Sequence, residues 1–164
     1  MPGAGSKRLR ANPESGPLSD AVTHLLEECR MVLPGIQTLF GFQLIAVFNQ
    51  VFWDKLEPHE QIFHFAAICL VAVSVALVMA PAAYHRLAEP KSISGQFITI
   101  STFFLSASMY PLMVALSVDL YLIGRVILDS RVGSLALTAL LFAGFVFLWI
   151  IFPRATSLHE RFGR

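Results

Sequence analysis

Three stretches of the chain, Met31–Trp53, Ile62–Ala83 and Ser134–Phe152, contain no Asp, Glu, Lys or Arg, and a fourth, Phe97–Ile123, contains only Asp119. At about 1.5 Å per helical residue, each is long enough to cross a hydrocarbon core of roughly 30 Å. Backbone groups in lipid have no water to bond, so only helices and closed barrels can span it. Apolar runs this long, without period-two alternation, select helices. The fold expected is therefore all-α: a four-helix transmembrane bundle with spans at about 31–53, 62–83, 97–123 and 134–152. Composition agrees, with 55% hydrophobic and 14% charged residues, against about 25% charged in soluble domains.

The flanks complete the domain organisation. Residues 1–18, rich in Pro, Gly, Ser and basic residues, read as a disordered tail. No apolar stretch follows them closely enough for a cleavable signal peptide. Residues 19–30, SDAVTHLLEECR, repeat Val22, Leu25, Leu26 and Cys29 at helical spacing. They predict an amphipathic interfacial helix, capped by Ser19 or Asp20, that lies on the membrane or runs straight into the first span. Residues 31–153 form the membrane domain, and 154–164 a short basic tail.

Lys and Arg near the span ends set the orientation. Lys7, Arg8, Arg10, Arg30, Arg86, Lys91, Arg154, Arg161 and Arg164 share one side, while Lys55, Arg125 and Arg131 lie on the other. Both termini are expected to be cytoplasmic, in a multi-pass protein of the cell membrane. The net charge of +1 argues against nucleic acid as a partner. Cys29 and Cys69 cannot build a disulfide framework or a zinc site. The five histidines lack metal-ligand spacing, and no Walker loop, GxSxG, HExxH or CxxC occurs. The chain is thus read as a non-enzyme without metal or cofactor.

Polar residues inside the spans are the candidate working parts. Span one holds the amides Gln37, Gln43, Asn49 and Gln50, each of which needs a partner in lipid. Asp119 falls near the outer end of span three, at a depth similar to His64 and Gln50. These three are a candidate outer polar cluster that exchanges protons; the plainer alternative is an interfacial Asp119, solvated or paired with Arg125. At the cytoplasmic face Tyr84, His85 and Arg86 emerge after Pro81, at the depth where Glu28, Arg30, Pro34, Gly35 and Gln37 enter. If the first two spans pack as a hairpin, these residues form one polar cluster, with Arg86 paired to Glu27 or Glu28. Small residues suggest packing seams: Ala72, Ala76 and Ala80; Ser94, Ser101, Ser108 and Ala115; Ala136, Ala139, Ala143 and Gly144.

The stretches LLEECRMVLPGIQTLFGF and APAAYHRL resemble motifs of a bacterial family of short four-span integral membrane proteins without established function. Glu28, Arg30, Leu33, Pro34, Gly35, Gln37, Leu39, Phe40 and Phe42 match the first motif; Ala80, Pro81, Ala83, Tyr84, His85 and Arg86 match the second. Glu27 and Cys29 depart from it, standing where Asn and Leu are expected. The resemblance covers roughly Leu25 to Leu87, and some members carry an automatic label of sodium:proton antiporter. Because both motifs fall on one face, it favours the cytoplasmic cluster. The leading expectation is a binding or oligomerising membrane protein with that cluster as a clasp. Its partners would be the bilayer, a second copy in a dimer, or an unidentified membrane protein. The alternative is a proton- or cation-coupled transporter.

Overall fold

A computed structural model describes residues 15–88 and 95–155. It is all-helical, and four helices are long and apolar enough to cross a membrane. The expected tail falls largely outside the described residues, as do Lys7, Arg8, Arg10, Lys91, Ser94, Arg161 and Arg164. Helix α1 spans Ser15–Ala46, α2 Gln50–Lys55, α3 Pro58–Ala88, α4 Gly95–Leu128 and α5 Arg131–Val146. A π-helical turn, Phe147–Ile151, follows α5 directly. Residues 19–30 are the first part of α1, which runs on through Pro34.

Span one also ends earlier than its lack of charge suggests. The chain leaves the helix at Ala46, because Asn49 offers its own side chain to the backbone: its carbonyl oxygen accepts from Val51 N at 3.0 Å. An Asn in that role caps a new helix, and Trp53 Nε1 locks the turn by donating to Val47 O at 2.9 Å. The short α2 then lays Phe52 and Leu56 against Leu122 of α4 in a small apolar cluster. Helix α3 starts at Pro58, whose missing N–H costs nothing in a first turn. Glu60 accepts from Glu57 N at 3.0 Å, the return arm of a capping box.

Helix α4 is the hub: α3, α5 and α1 all pack on it, and α1 also packs on α3. Ile36 of α1, Ala67, Val71 and Val78 of α3 and Ala115 of α4 form the central core, with Cys29, Leu33 and Phe40 against it. The inward stripe of α1 is thus 29–33–36–40, with Gln43 next in phase. On α4 the expected seam is buried at Ser101, Ser108 and Ala115. On α3 the buried line is Ala67, Val71, Ser74 and Val78, whereas Ala72 and Ala76 point outward. Ala136, Ala139 and Ala143 of α5 are likewise exposed.

The α4–α5 turn is tight. Asp129 takes φ 48°, a left-handed position that Asp tolerates better than most residues. Ser130 caps α5 by accepting from Gly133 N at 3.2 Å, and Ser134 Oγ donates to Ser130 O at 2.7 Å. A Cβ on Gly124 would lie 3.1 Å from Ser134 Cβ, so α5 approaches α4 as closely as a glycine permits. Gly124→Val is expected to lower stability by about 1–3 kcal/mol, the usual cost of overpacking, and Gly124→Ala by less. Thermal unfolding of the purified protein in detergent measures both.

Candidate functional site

The polar side chains of this apolar bundle gather at the end where α1 passes to α3 and α4 turns into α5, here the loop end. At the centre is His64, on the second turn of α3 and only 6% exposed. Its Nε2 lies 2.9 Å from the backbone oxygen of Gln43. That oxygen belongs to the last turn of α1, which stops at Ala46. On the other side, His64 Nδ1 lies 3.3 Å from Asp119 Oδ1 of α4. Gln43 closes the ring: its Nε2 donates to Asp119 Oδ2 at 2.6 Å. Three helices therefore meet in one cycle of Gln43, His64 and Asp119. Phe52 of α2 covers it, with ring centroids 5.2 Å apart.

The cycle fixes a proton count. A carbonyl oxygen only accepts, so His64 Nε2 carries a hydrogen. Nδ1 lies 3.3 Å from Asp119 Oδ1, an oxygen without a hydrogen-bond partner, and the contact can hold one further proton. With that proton the pair is neutral overall; without it a single negative charge remains, buried where an unpaired ion is costly. Asp119 is 12% exposed at its side chain. Gln43, 3% exposed, keeps its Oε1 buried without a hydrogen-bond partner. All three residues line a cavity of about 360 Å³ whose other walls include Leu39, Phe52, Leu122 and Ile123.

One turn further out is a second network. Glu60 is completely buried and accepts from Arg125 Nε at 2.6 Å and from Tyr121 Oη at 3.4 Å. Beyond it, Arg131 at the start of α5 pairs with Glu57, and His59 lies 3.4 Å from Glu57. These pairs tie the start of α3 to the end of α4 and the start of α5.

The structure thus brings two of the sequence-derived outer residues together, His64 and Asp119, and leaves Gln50 out. Gln50 is exposed at the start of α2, because the turn at 47–49 breaks the helical phase that would have stacked it on Gln43. Gln43 takes that place. Arg125, considered as a partner for Asp119, is held by Glu60 instead. Glu60 escaped notice because it lies in a charged loop sequence; the capping pattern of Glu57, Pro58 and Glu60 was the signal for its position.

At the opposite, terminal end the residues of the two motifs separate. Glu28, Arg30, Pro34, Gly35 and Gln37 are exposed, because the inward stripe of α1 runs through Cys29, Leu33 and Ile36. Pro81 is buried, and Tyr84 and His85 set their rings against Phe97 of α4 at 6.2 Å and 5.4 Å. Arg86 is exposed, and no ion pair joins it to Glu27 or Glu28 among the described residues. Glu28 instead lines a cleft of about 650 Å³ between α1 and the end of α5, together with His24, Tyr110, Trp149 and Arg154.

A family model matches residues 18–153. The chain belongs to a family of unknown function (DUF6328). No curated protein and no solved structure matches it. Membership therefore brings no reaction or ligand, and the residues of the loop-end site are the basis for a functional reading. The groups of three or more His, Cys, Asp or Glu that a metal ion needs do not occur among the described residues.

The Glu60–Arg125 pair yields a stability test. Glu60→Leu alone is expected to lower the unfolding midpoint more than Glu60→Leu combined with Arg125→Leu. The single change strands a guanidinium that the double change removes. Equal midpoints in thermal unfolding would show that the pair does not act as a unit.

Proposed function

We propose that this is a non-enzymatic, multi-pass protein of the cell membrane that binds a ligand at its loop end in linkage with a proton. The observation that carries the reading is the Gln43–His64–Asp119 cycle at the floor of a cavity. Ionisable side chains inside a membrane are expensive, and those that persist mark binding or proton-transfer sites. The count of Lys and Arg supports cytoplasmic termini, and with that orientation the cavity opens in the outer half of the bilayer. The working cluster is then at the outer face, and at the terminal end Pro81, Tyr84 and His85 serve packing. Assembly as a dimer would use the outward Ala72 and Ala76 of α3 or the small-residue face of α5, since small residues let membrane helices approach closely.

The test is a pH titration of the histidine side-chain ¹⁵N resonances in detergent, with His64 assigned by its loss in His64→Gln. Nε2 is expected to stay protonated throughout, while Nδ1 responds to pH. In Asp119→Asn the Nδ1 response shifts, because the carboxylate charge beside it is gone. A His64 ring indifferent both to pH and to Asp119→Asn overturns the reading.

Coupled transport is the second reading, favoured by a different observation. The cavity at Asp119 and the cleft at Tyr110 and Trp149 lie toward opposite ends of α4. The packed residues Ile36 and Ala115 stand between them. A site that alternates between two openings needs that arrangement. Cation-driven proton flux in proteoliposomes, present in the wild type and lost in Asp119→Asn, is the expected outcome of this reading.

A further inference from the structure

We propose that the loop-end cavity takes a hydrophobic ammonium ion, bound in exchange for the proton of the His64–Asp119 pair. The inference rests on the proton-linked reading above and names the ligand class that the cavity walls select.

Three observations converge on that class. The walls are apolar, built from Leu39, Phe42, Val51, Leu122, Ile123 and Ile127. Of these, Phe42, Val51, Ile123 and Ile127 are also exposed at the protein surface, so the cavity opens sideways toward lipid, where amphiphilic molecules concentrate. The floor includes Asp119, whose Oδ1 lies 3.3 Å from His64 Nδ1 and has no hydrogen-bond partner. Finally, Gln43 Oε1 is a buried acceptor with no donor. Nearly all buried polar atoms are satisfied in folded proteins, so one left open at a cavity calls for a ligand group. The open valence is an acceptor, and what it lacks is an N–H or O–H.

Charge balance narrows the choice. An arriving cation R–NH₃⁺ places its ammonium beside Asp119 and donates to Gln43 Oε1, and the pair releases one proton to solvent. No covalent bond to carbon changes, and the net charge of the site is the same before and after. A neutral ligand would leave the proton in place, and an anion would face a buried carboxylate. A bare metal ion would need several oxygen ligands, which apolar walls do not supply. The cavity, at about 360 Å³, is at the small end of the range for organic ligands.

The charged and titratable groups around the exchanging pair are few. On α3 the next is Glu60, held by Arg125 and Tyr121 of α4; on α2, Asp54 and Lys55 are exposed. The Glu60 charge is thus neutralised internally, which leaves His64 and Asp119 as the pair that answers the ligand.

The test is calorimetry on the full chain in an uncharged detergent, with 3-phenylpropylammonium as probe and empty micelles as blank. Titrations in two buffers of different ionisation heat give the protons released per ligand. The expected result is saturable binding with about one proton released, no binding of 3-phenylpropanol, and weaker binding of the trimethylammonium analogue, which has no N–H to give. Gln43→Leu is expected to weaken the primary ammonium about tenfold more than the trimethylammonium analogue, the difference being one hydrogen bond to a charged group. Asp119→Asn abolishes proton release; the wild-type comparison of ammonium with alcohol stands even where that variant fails to fold. Binding without proton release, or equal binding of the alcohol, overturns the inference. An absence of binding while His64 still titrates with Asp119 overturns it too, and leaves the proton-linked reading in place. An absence of both removes the two together.

Discussion

The carbonyl oxygen of Gln43 accepts from His64 across 2.9 Å, and much of the loop end depends on that contact. It joins the last turn of α1, which stops at Ala46, to the second turn of α3. The histidine is therefore oriented by the last turn of α1. That orientation turns its second nitrogen to the carboxylate and sets how many protons the pair can hold.

Around this contact the bundle solves one recurring problem, the satisfaction of polar groups where water is scarce. Asn49 answers the N–H of the new helix, Glu60 answers both a cap and a guanidinium, and Ser130 answers the first turn of α5. Each of these residues sits where a helix starts. In the bundle's middle the buried Ser74, Ser108 and Ser117 donate back to their own helices, while Ile36, Ala67, Val71 and Ala115 pack around them without polar side chains. Charge is thereby concentrated at the two ends. The loop end is tied across α3, α4 and α5 by ion pairs, while the terminal end is left as an open cleft between α1, α4 and the segment after α5.

The spans were legible from the absence of charge alone, and α3 and α4 each extend a few residues past their uncharged runs, while α5 passes into a π-helical turn within its own. The end of span one was not legible in that way. Hydropathy sees no difference between Ala46 and Phe52, whereas Asn49 makes a local hydrogen bond that competes with helix continuation. Of the two polar clusters, the one at the loop end owes its recognition to depth: His64 and Asp119 occupy the same level of the membrane and proved to touch. The cluster drawn from the motifs rested on depth as well. There the helical phase of α1 decided otherwise, turning Glu28, Arg30 and Gln37 away from α3 and setting His85 against Phe97.

Depth in the bilayer is a property of position along the chain, and so the sequence by itself determined the helical class, the number of spans and the level of every polar side chain. Which residues at one level meet depends on how each helix is rotated about its axis and where it stops. Those are set by contacts between distant segments, such as Gly124 against Ser134 or Cys29 and Leu33 against the α3 core. Only the tertiary structure could choose Gln43 over Gln50, and Glu60 over Asp119 as the partner of Arg125. In each case the selected group is the one that helix rotation and packing bring within hydrogen-bond distance.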